Sequence, residues 1–348
     1  MEAMVVAPHI EPCVARLIDA NLDRAREGLR VIEDWCRFGL DRLDLVKPLK
    51  DWRQQLGQCH REHYKQARST AADIAAGLAH PAQQQRPQPS QIVAANCARV
   101  QEALRVLEEF GRDQDPPLAS TAASIRYGLY DLEVTILQAG HRAERRQRLA
   151  QSRLCLITSP TEDLIPRVEA ALKAGVSLVQ YRAKEGNDRE RLAAAEALAE
   201  LCRSYGALFI VNDRIDLALL VEADGVHLGQ DDLPTDAARQ LIGDGLLLGR
   251  STHNLEQLQA AQQEDCDYLG VGPIYATGTK SDKMPKGLLW ARQASEHATL
   301  PWFAIGGINA DRLPELGEAG VSRVAVVGAI MASADPGAAS GSLLATLG

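Results

Sequence analysis

From Leu154 onward, eight short aliphatic runs alternate with helix-period stretches, and this rhythm restricts the fold more than any other feature of the chain. The runs are LCLITS from Leu154, LVQYR from Leu178, LFIVND from Leu208, GVHLG from Gly225, LLLGRS from Leu246, YLGVG from Tyr268, PWFAIGG from Pro301 and RVAVVG from Arg323. Between them, stretches such as 190–203 and 255–264 carry apolar residues at helical spacing. Strands joined through helices run parallel, because a tight hairpin cannot return the chain in the same direction. Eight such units predict a closed (β/α)8 barrel, so this half reads as α/β. The rival, a doubly wound open sheet, would carry a GxGxxG turn after its first strand, and the chain has none there.

In a barrel the chemistry gathers where the strands end. The second strand ends in Gln180-x-Arg182-x-Lys184, and period-two alternation predicts all three side chains on one side. The third ends in Asn212-Asp213, the fourth leads to Gln230-Asp231-Asp232, and the fifth ends at Ser251. The sixth runs into GPIYATGTK, which closes on Lys280, while the last two end in Gly306-Gly307 and Val327-Gly328. Two cations, Arg182 and Lys184, thus share a mouth with two carboxylates, Asp213 and Asp232. That combination suits a diphosphate: magnesium binds through a few carboxylates plus phosphate oxygens, and cations stabilise a leaving group as its charge develops. The paired glycines suit a phosphate monoester approached by bare backbone N–H groups. Each residue also has a plainer use. Asp213 could cap the following helix, Gly306-Gly307 could be a simple turn, and Lys280 could be a solvated charge beside Lys283 and Lys286. His227, inside the fourth strand, reads as a hydrogen-bonded barrel residue rather than a base. Seven consecutive strand ends with matching polarity argue for a site.

Residues 14–145 read as helix almost throughout, with Leu22, Ala25, Leu29, Ile32 and Cys36 on one stripe. A pattern then recurs: Asn21, Arg24, Glu27, Leu29, Arg30, Val31 and Glu33 match Asn96, Arg99, Glu102, Leu104, Arg105, Val106 and Glu108, a separation of 96 − 21 = 75 residues. This predicts a duplicated helical hairpin, since the period is too long for an ordinary solenoid repeat. Exposed ion pairs at helical spacing explain some of these charges, but stripe packing alone would preserve only the apolar positions. A pseudo-symmetric polar site between the two helices is the sharper expectation. The chain has no P-loop motif, and the Pro/Gln-rich stretch 80–91 reads as a loop.

Charge separates the two halves. Residues 1–150 carry 21 Lys+Arg against 20 Asp+Glu, and the rest carry 17 against 26, for a whole-chain net of -8. Together with 4% aromatic residues, this argues against a nucleic-acid partner and leaves a local cationic pocket for a phosphorylated metabolite. No apolar run is long enough to span a membrane, and the first residues lack a secretory pattern. The seven cysteines form no CxxC pair, so reduced thiols in a cytoplasmic protein are expected.

The segments VQYRAK, VNDRIDLALLVEADGVHLGQDD, GRSTHN, YLGVGPIYATGTK and IGGI together resemble thiamine phosphate synthase over nearly all of residues 150–345. The resemblance implies small-molecule substrates, with hydroxymethylpyrimidine diphosphate joined to thiazole phosphate or its carboxylate and diphosphate released. It implies pyrimidine-diphosphate contacts from Gln180, Tyr181, Arg182, Ala183, Lys184, Asn212, Ser251 and Lys280, with Ser251, Lys280 and Arg182 acting in catalysis. It implies Mg2+ at Asp213 and Asp232, and thiazole-phosphate contacts from Thr277, Gly278, Thr279, Gly307, Val327 and Gly328. The chain departs from the family at Gly328, where the family often has Ser; a backbone donor survives but a hydroxyl does not. The first half resembles a helical domain fused to this synthase in some bacteria and grouped with a hydroxymethylpyrimidine phosphate kinase family. The expected organisation is a helical domain over residues 1–149 and a barrel over 150–348, with a homo-oligomer possible. Two alternatives stay open: a thiazole-binding tautomerase or regulator on the same barrel, and a helical half that serves only for oligomerisation.

Overall fold

A computed structural model describes residues 10–69, 86, 88–276 and 284–348. The chain divides into two compact units between His141 and Arg142.

The first unit is helical: α1 (Pro12–Asp34), a π-turn (Trp35–Gly39), α2 (Leu43–Cys59), α3 (Glu62–Gln66), α4 (Pro89–Gly111) and the first turns of α5 (Pro116–Gln151). Both α1 and α4 begin with proline, whose missing N–H costs nothing in a first turn. The buried stripe of α1, Ile18, Leu22, Ala25, Leu29 and Ile32, maps residue for residue onto Val93, Cys97, Val100, Leu104 and Leu107 of α4. The duplication therefore covers the core as well as the polar positions. The second helix of each hairpin also supports the first in the same way: Arg53 of α2 pairs with Glu33, and Arg126 of α5 pairs with Glu108. Gly28 lets the two copies come close, since a Cβ there would lie 2.5 Å from Val100 Cγ2.

The second unit is an eight-stranded closed barrel of parallel strands, β1 (Leu154–Ile157), β2 (Leu178–Tyr181), β3 (Leu208–Asn212), β4 (Gly225–Leu228), β5 (Leu247–Thr252), β6 (Tyr268–Val271), β7 (Trp302–Ile305) and β8 (Val324–Val326), in sequential order. Alternation sorts each strand into two layers. Leu154, Leu156, Val179, Tyr181 and Val211 join the shell packed under the helices, while Cys155, Ile157, Leu178, Ile210, Tyr268 and Phe303 fill the lumen. Glycines make room for the larger lumen residues, as at Gly249, where a Cβ would meet the Tyr268 ring and His227.

The N-terminal end of this barrel is closed by ion pairs. Arg142 Nε donates to Asp267 at 2.9 Å and Nη2 to Asp265 at 2.6 Å, and Arg145 Nε donates to Asp224 at 2.9 Å. Asp224 and Asp267 sit one residue before β4 and β6. Asp267, with a side chain 0% exposed, also meets Arg146 and Arg239 and accepts the Leu248 N–H at 2.7 Å. Buried charge at the closed end is thus compensated, and the opposite end is free for chemistry.

Candidate active site

A cavity of about 470 Å³ opens at the C-terminal ends of the strands. One wall carries polar residues that alternation brings inward, namely Gln180 on β2 and Arg182 just after it, Asn212 at the end of β3, His227 on β4 and Ser251 on β5. The opposite wall is formed by Gly306 and Gly307 after β7 and by Val327 and Gly328 after β8. Among the described residues, the Arg182 guanidinium and the Asn212 amide have no side-chain partner, so both are available to a ligand.

Ser251 is held from behind. Its Oγ lies 2.9 Å from His227 Nε2, and His227 Nδ1 lies 3.2 Å from the Tyr268 hydroxyl. A neutral imidazole has one donor and one acceptor nitrogen, so one hydroxyl donates to the ring while the other accepts from it. Burial holds the Tyr268 phenol well above its ordinary pKa, against a hydrogen bond to Gln180 that lowers it, so the phenol stays protonated. His227 is satisfied on both nitrogens and serves to orient Ser251, which agrees with its reading as a barrel residue. Burial also pushes the Cys155 thiol up to about 12, which leaves this lumen residue without a thiolate at neutral pH.

Five expected site residues do not line the cavity. Tyr181 is buried in the outer shell, because its neighbours Gln180 and Arg182 take the inward positions. Ala183 packs against that shell as well. The predicted Gln180–Arg182–Lys184 alignment is corrected at its third member: β2 stops at Tyr181, strand alternation lapses beyond it, and Lys184 is exposed outside the cavity lining. Asp213 and Asp232 are half-buried beside the mouth. Asp213 has φ 63°, and its N–H donates to the His227 carbonyl at 2.9 Å. It does not cap the next helix (Ile215–Leu220), whose N-cap is Arg214. Asp232 Oδ2 accepts the Gly229 N–H at 2.6 Å. Two carboxylates on adjacent strand ends are a hard-oxygen donor set of the kind magnesium takes alongside phosphate oxygens and waters. Among the described residues no three His, Cys, Asp or Glu groups converge as a metal cluster.

Gly306 and Gly307 have φ 105° and 64°, and a Cβ on Gly307 would lie 2.5 Å from the Ala276 carbonyl oxygen. The turn therefore requires glycine, and bare backbone faces the cavity. Thr277, Gly278, Thr279 and Lys280 lie outside the described residues. Sequence reasoning did not single out His253, whose Nδ1 lies 2.6 Å from the Gly272 carbonyl oxygen, or Asn309, which caps the turn after β7. Both line the cavity, and the available signal was their place just past a strand end. Among the described residues no helix is long and apolar enough to cross a membrane.

Comparison with known proteins bears on both units. The family model for thiamine monophosphate synthase matches residues 154–330, and that of the ThiD2 family matches residues 16–135. The chain is 66% identical to the thiamine-phosphate synthase of Synechococcus sp. (strain CC9311) over 100% of both chains. It is 50% identical to the enzyme of that name from Nostoc sp. (strain PCC 7120), over 94% of this chain and 92% of that one. Among solved structures, thiamine phosphate pyrophosphorylase from Pyrococcus furiosus superposes with a TM-score of 0.53 at 36% identity, over 58% of this chain and 96% of that one.

Proposed function

The chain belongs to the thiamine monophosphate synthase family and is a transferase of thiamine biosynthesis, and from that premise we propose that its barrel joins hydroxymethylpyrimidine diphosphate to thiazole phosphate or its carboxylate. The observation that carries this reading is the two-sided cavity, with Arg182 and Asn212, whose side chains have no partner among the described residues, beside Ser251 on one wall and bare glycine backbone on the other.

The bond between the pyrimidine methylene carbon and the diphosphate oxygen breaks first, and its electron pair leaves with diphosphate. The ring amino group stabilises the methylene cation. The thiazole nitrogen then supplies the pair for the new C–N bond, giving thiamine phosphate. Arg182, Lys280 and the Ser251 hydroxyl donate to the leaving diphosphate as its charge grows. Lys184 assists from the rim, and contacts from Tyr181 and Ala183 come through their backbones. Gly307, Val327, Gly328 and the Thr277–Thr279 segment hold the thiazole phosphate, so that the two reactants meet in one orientation. Asp213 and Asp232 would hold Mg2+, which supplies further charge stabilisation on the diphosphate. His227 is already engaged by Ser251 and Tyr268, and this chemistry asks for no general base.

The test is thiamine phosphate formation by the purified chain from the two substrates with and without Mg2+. Synthesis that needs Mg2+ and fails in Arg182→Ala supports the reading. Thiazole isomerisation without condensation would favour the tautomerase alternative. For the helical unit, the match to the ThiD2 family supports phosphorylation of hydroxymethylpyrimidine phosphate to the diphosphate used by the barrel. Incubation of the whole chain with ATP and that monophosphate checks this, and absence of turnover would favour an interaction module.

A further inference from the structure

The helical unit contains a cavity of about 640 Å³ whose ten lining residues form five pairs, each 75 positions apart. Three pairs are polar, Asn21 with Asn96, Arg24 with Arg99 and Glu27 with Glu102, and the other two are Gly28 with Ala103 and Val31 with Val106. A cavity lined pair by pair by duplicated positions straddles the pseudo-dyad that relates α1 to α4.

The duplicated charges one turn further along are used up internally. Arg30 meets Asp34 at 2.9 Å and Arg105 meets Glu109 at 2.7 Å, while Glu33 and Glu108 receive Arg53 and Arg126. The cavity charges are not. Arg24, Glu27, Arg99 and Glu102 have neither an ion pair nor a hydrogen bond among the described residues. Beneath them Asn21 and Asn96 are only 6% and 7% exposed. Each donates its Nδ2 to the carbonyl four residues back, Leu17 at 2.9 Å and Ile92 at 2.8 Å, and each Oδ1 is left without a donor among the described residues. Six symmetric polar groups with spare capacity, around one cavity, mark the place of a ligand.

We propose that this cavity binds two phosphoryl groups as a magnesium complex, with Arg24 and Arg99 each taking one phosphoryl group and Glu27 and Glu102 taking the cation. A guanidinium fork matches phosphate oxygens, and two equivalent forks ask for two equivalent anions. Two Arg and two Glu leave the cavity neutral, so the negative charge of the phosphoryl pair needs a cation from outside. Magnesium supplies it, because it binds through a few carboxylates plus phosphate oxygens and keeps several waters. Asn21 and Asn96 Oδ1 accept from those waters. The inference concerns binding in the helical unit alone and does not rest on the barrel reaction.

Calorimetric titration of the whole chain with Mg2+ and diphosphate tests it, with condensation assayed on the same samples. Arg24→Gln/Arg99→Gln should take up one equivalent fewer than the unaltered chain, with its melting temperature and condensation rate preserved, because these exposed side chains brace nothing. Arg182→Gln should retain that equivalent. The single changes Arg24→Gln and Arg99→Gln should weaken the site equally, each by roughly ten- to a hundredfold. In Glu27→Gln/Glu102→Gln the affinity should no longer depend on Mg2+. Inorganic phosphate in place of diphosphate separates two independent phosphates, seen as two equivalents, from one linked pair, seen as uptake of diphosphate alone. Either result supports the site. Equal uptake by the Arg24→Gln/Arg99→Gln chain and the unaltered chain would overturn the proposal, and binding indifferent to Mg2+ in the unaltered chain would overturn its cation half. A failure of condensation alone would count against the barrel reading and leave this one standing.

Discussion

His227 Nε2 and Ser251 Oγ lie 2.9 Å apart in the barrel lumen, on neighbouring strands whose register pairs His227 with Gly249. Gly249 has no side chain to occupy the space taken by the imidazole and the Tyr268 ring. The serine that faces the cavity is therefore aimed by a residue one layer behind it. Ser251→Ala should lower kcat by roughly a hundred- to a thousandfold, the usual effect of removing one donor to a developing anion. Replacing His227 with Asn should cost less, and the two effects should not add, because His227 acts through Ser251. A double-mutant cycle in kcat, with melting temperatures to check the fold, measures this. Additive losses would show that His227 works independently.

Asp213 joins a carboxylate to a left-handed backbone, φ 63°, and two substitutions separate these features. Asp213→Gly keeps the backbone comfortable and removes the carboxylate; Asp213→Ala removes the carboxylate and leaves a strained Cβ, at a cost of about 1 kcal/mol. Both should raise the Mg2+ concentration for half-maximal synthesis, and the alanine should lower the melting temperature further than the glycine. If the glycine variant responds to Mg2+ like the unaltered chain, the carboxylate has no metal role.

Arg142 and Asp267 form a buried pair at the closed end of the barrel. Arg142 is one of three arginines around Asp267, so Arg142→Met removes a charged hydrogen bond without stranding the carboxylate and should destabilise the barrel unit by roughly 1.5–3 kcal/mol. Denaturant unfolding of this variant should show the loss. Arg146, half exposed and also paired with Asp267, should cost far less when replaced, because solvent screens its charge.

Asp19 is nearly buried in the helical unit. Burial alone would raise its carboxyl pKa, but the Arg68 guanidinium and His60 outweigh it, and the pKa lies below the ordinary value. A carboxyl depressed in the folded state stabilises the fold above its unfolded pKa, about 4, and loses that stabilisation as pH falls through the folded value. Asp19→Asn should therefore be less stable than the unaltered chain at pH 7 and converge with it below about pH 4. Melting curves across that range provide the measurement, and a constant gap would contradict the assignment.

Much of the barrel was legible because strand alternation and strand count are local properties. The eight runs already state the period, and Gln180, Arg182, Asn212 and Ser251 reach the cavity because parity along each strand assigns a side. Parity fails where a strand stops. Nothing in QYRAK marks Tyr181 as the last residue of β2, so Lys184 was placed with residues it does not join. His253 and Asn309 were missed because their approach to the cavity follows from the closure of the barrel, which brings the ends of β5 and β7 around one opening.

The helical unit shows the same division. Sequence by itself determined that two helices carry the same Asn, Arg and Glu positions, because a repeat is a statement about letters and spacing. It could not separate the duplicated charges that neutralise one another from those left open. That separation depends on which residues the second helix of each hairpin brings near: Arg53 and Arg126 reach Glu33 and Glu108, and no described residue reaches Glu27 or Glu102. Charge pairing is a property of distances between elements remote in sequence, so it was decided only when the tertiary structure packed α1 against α4.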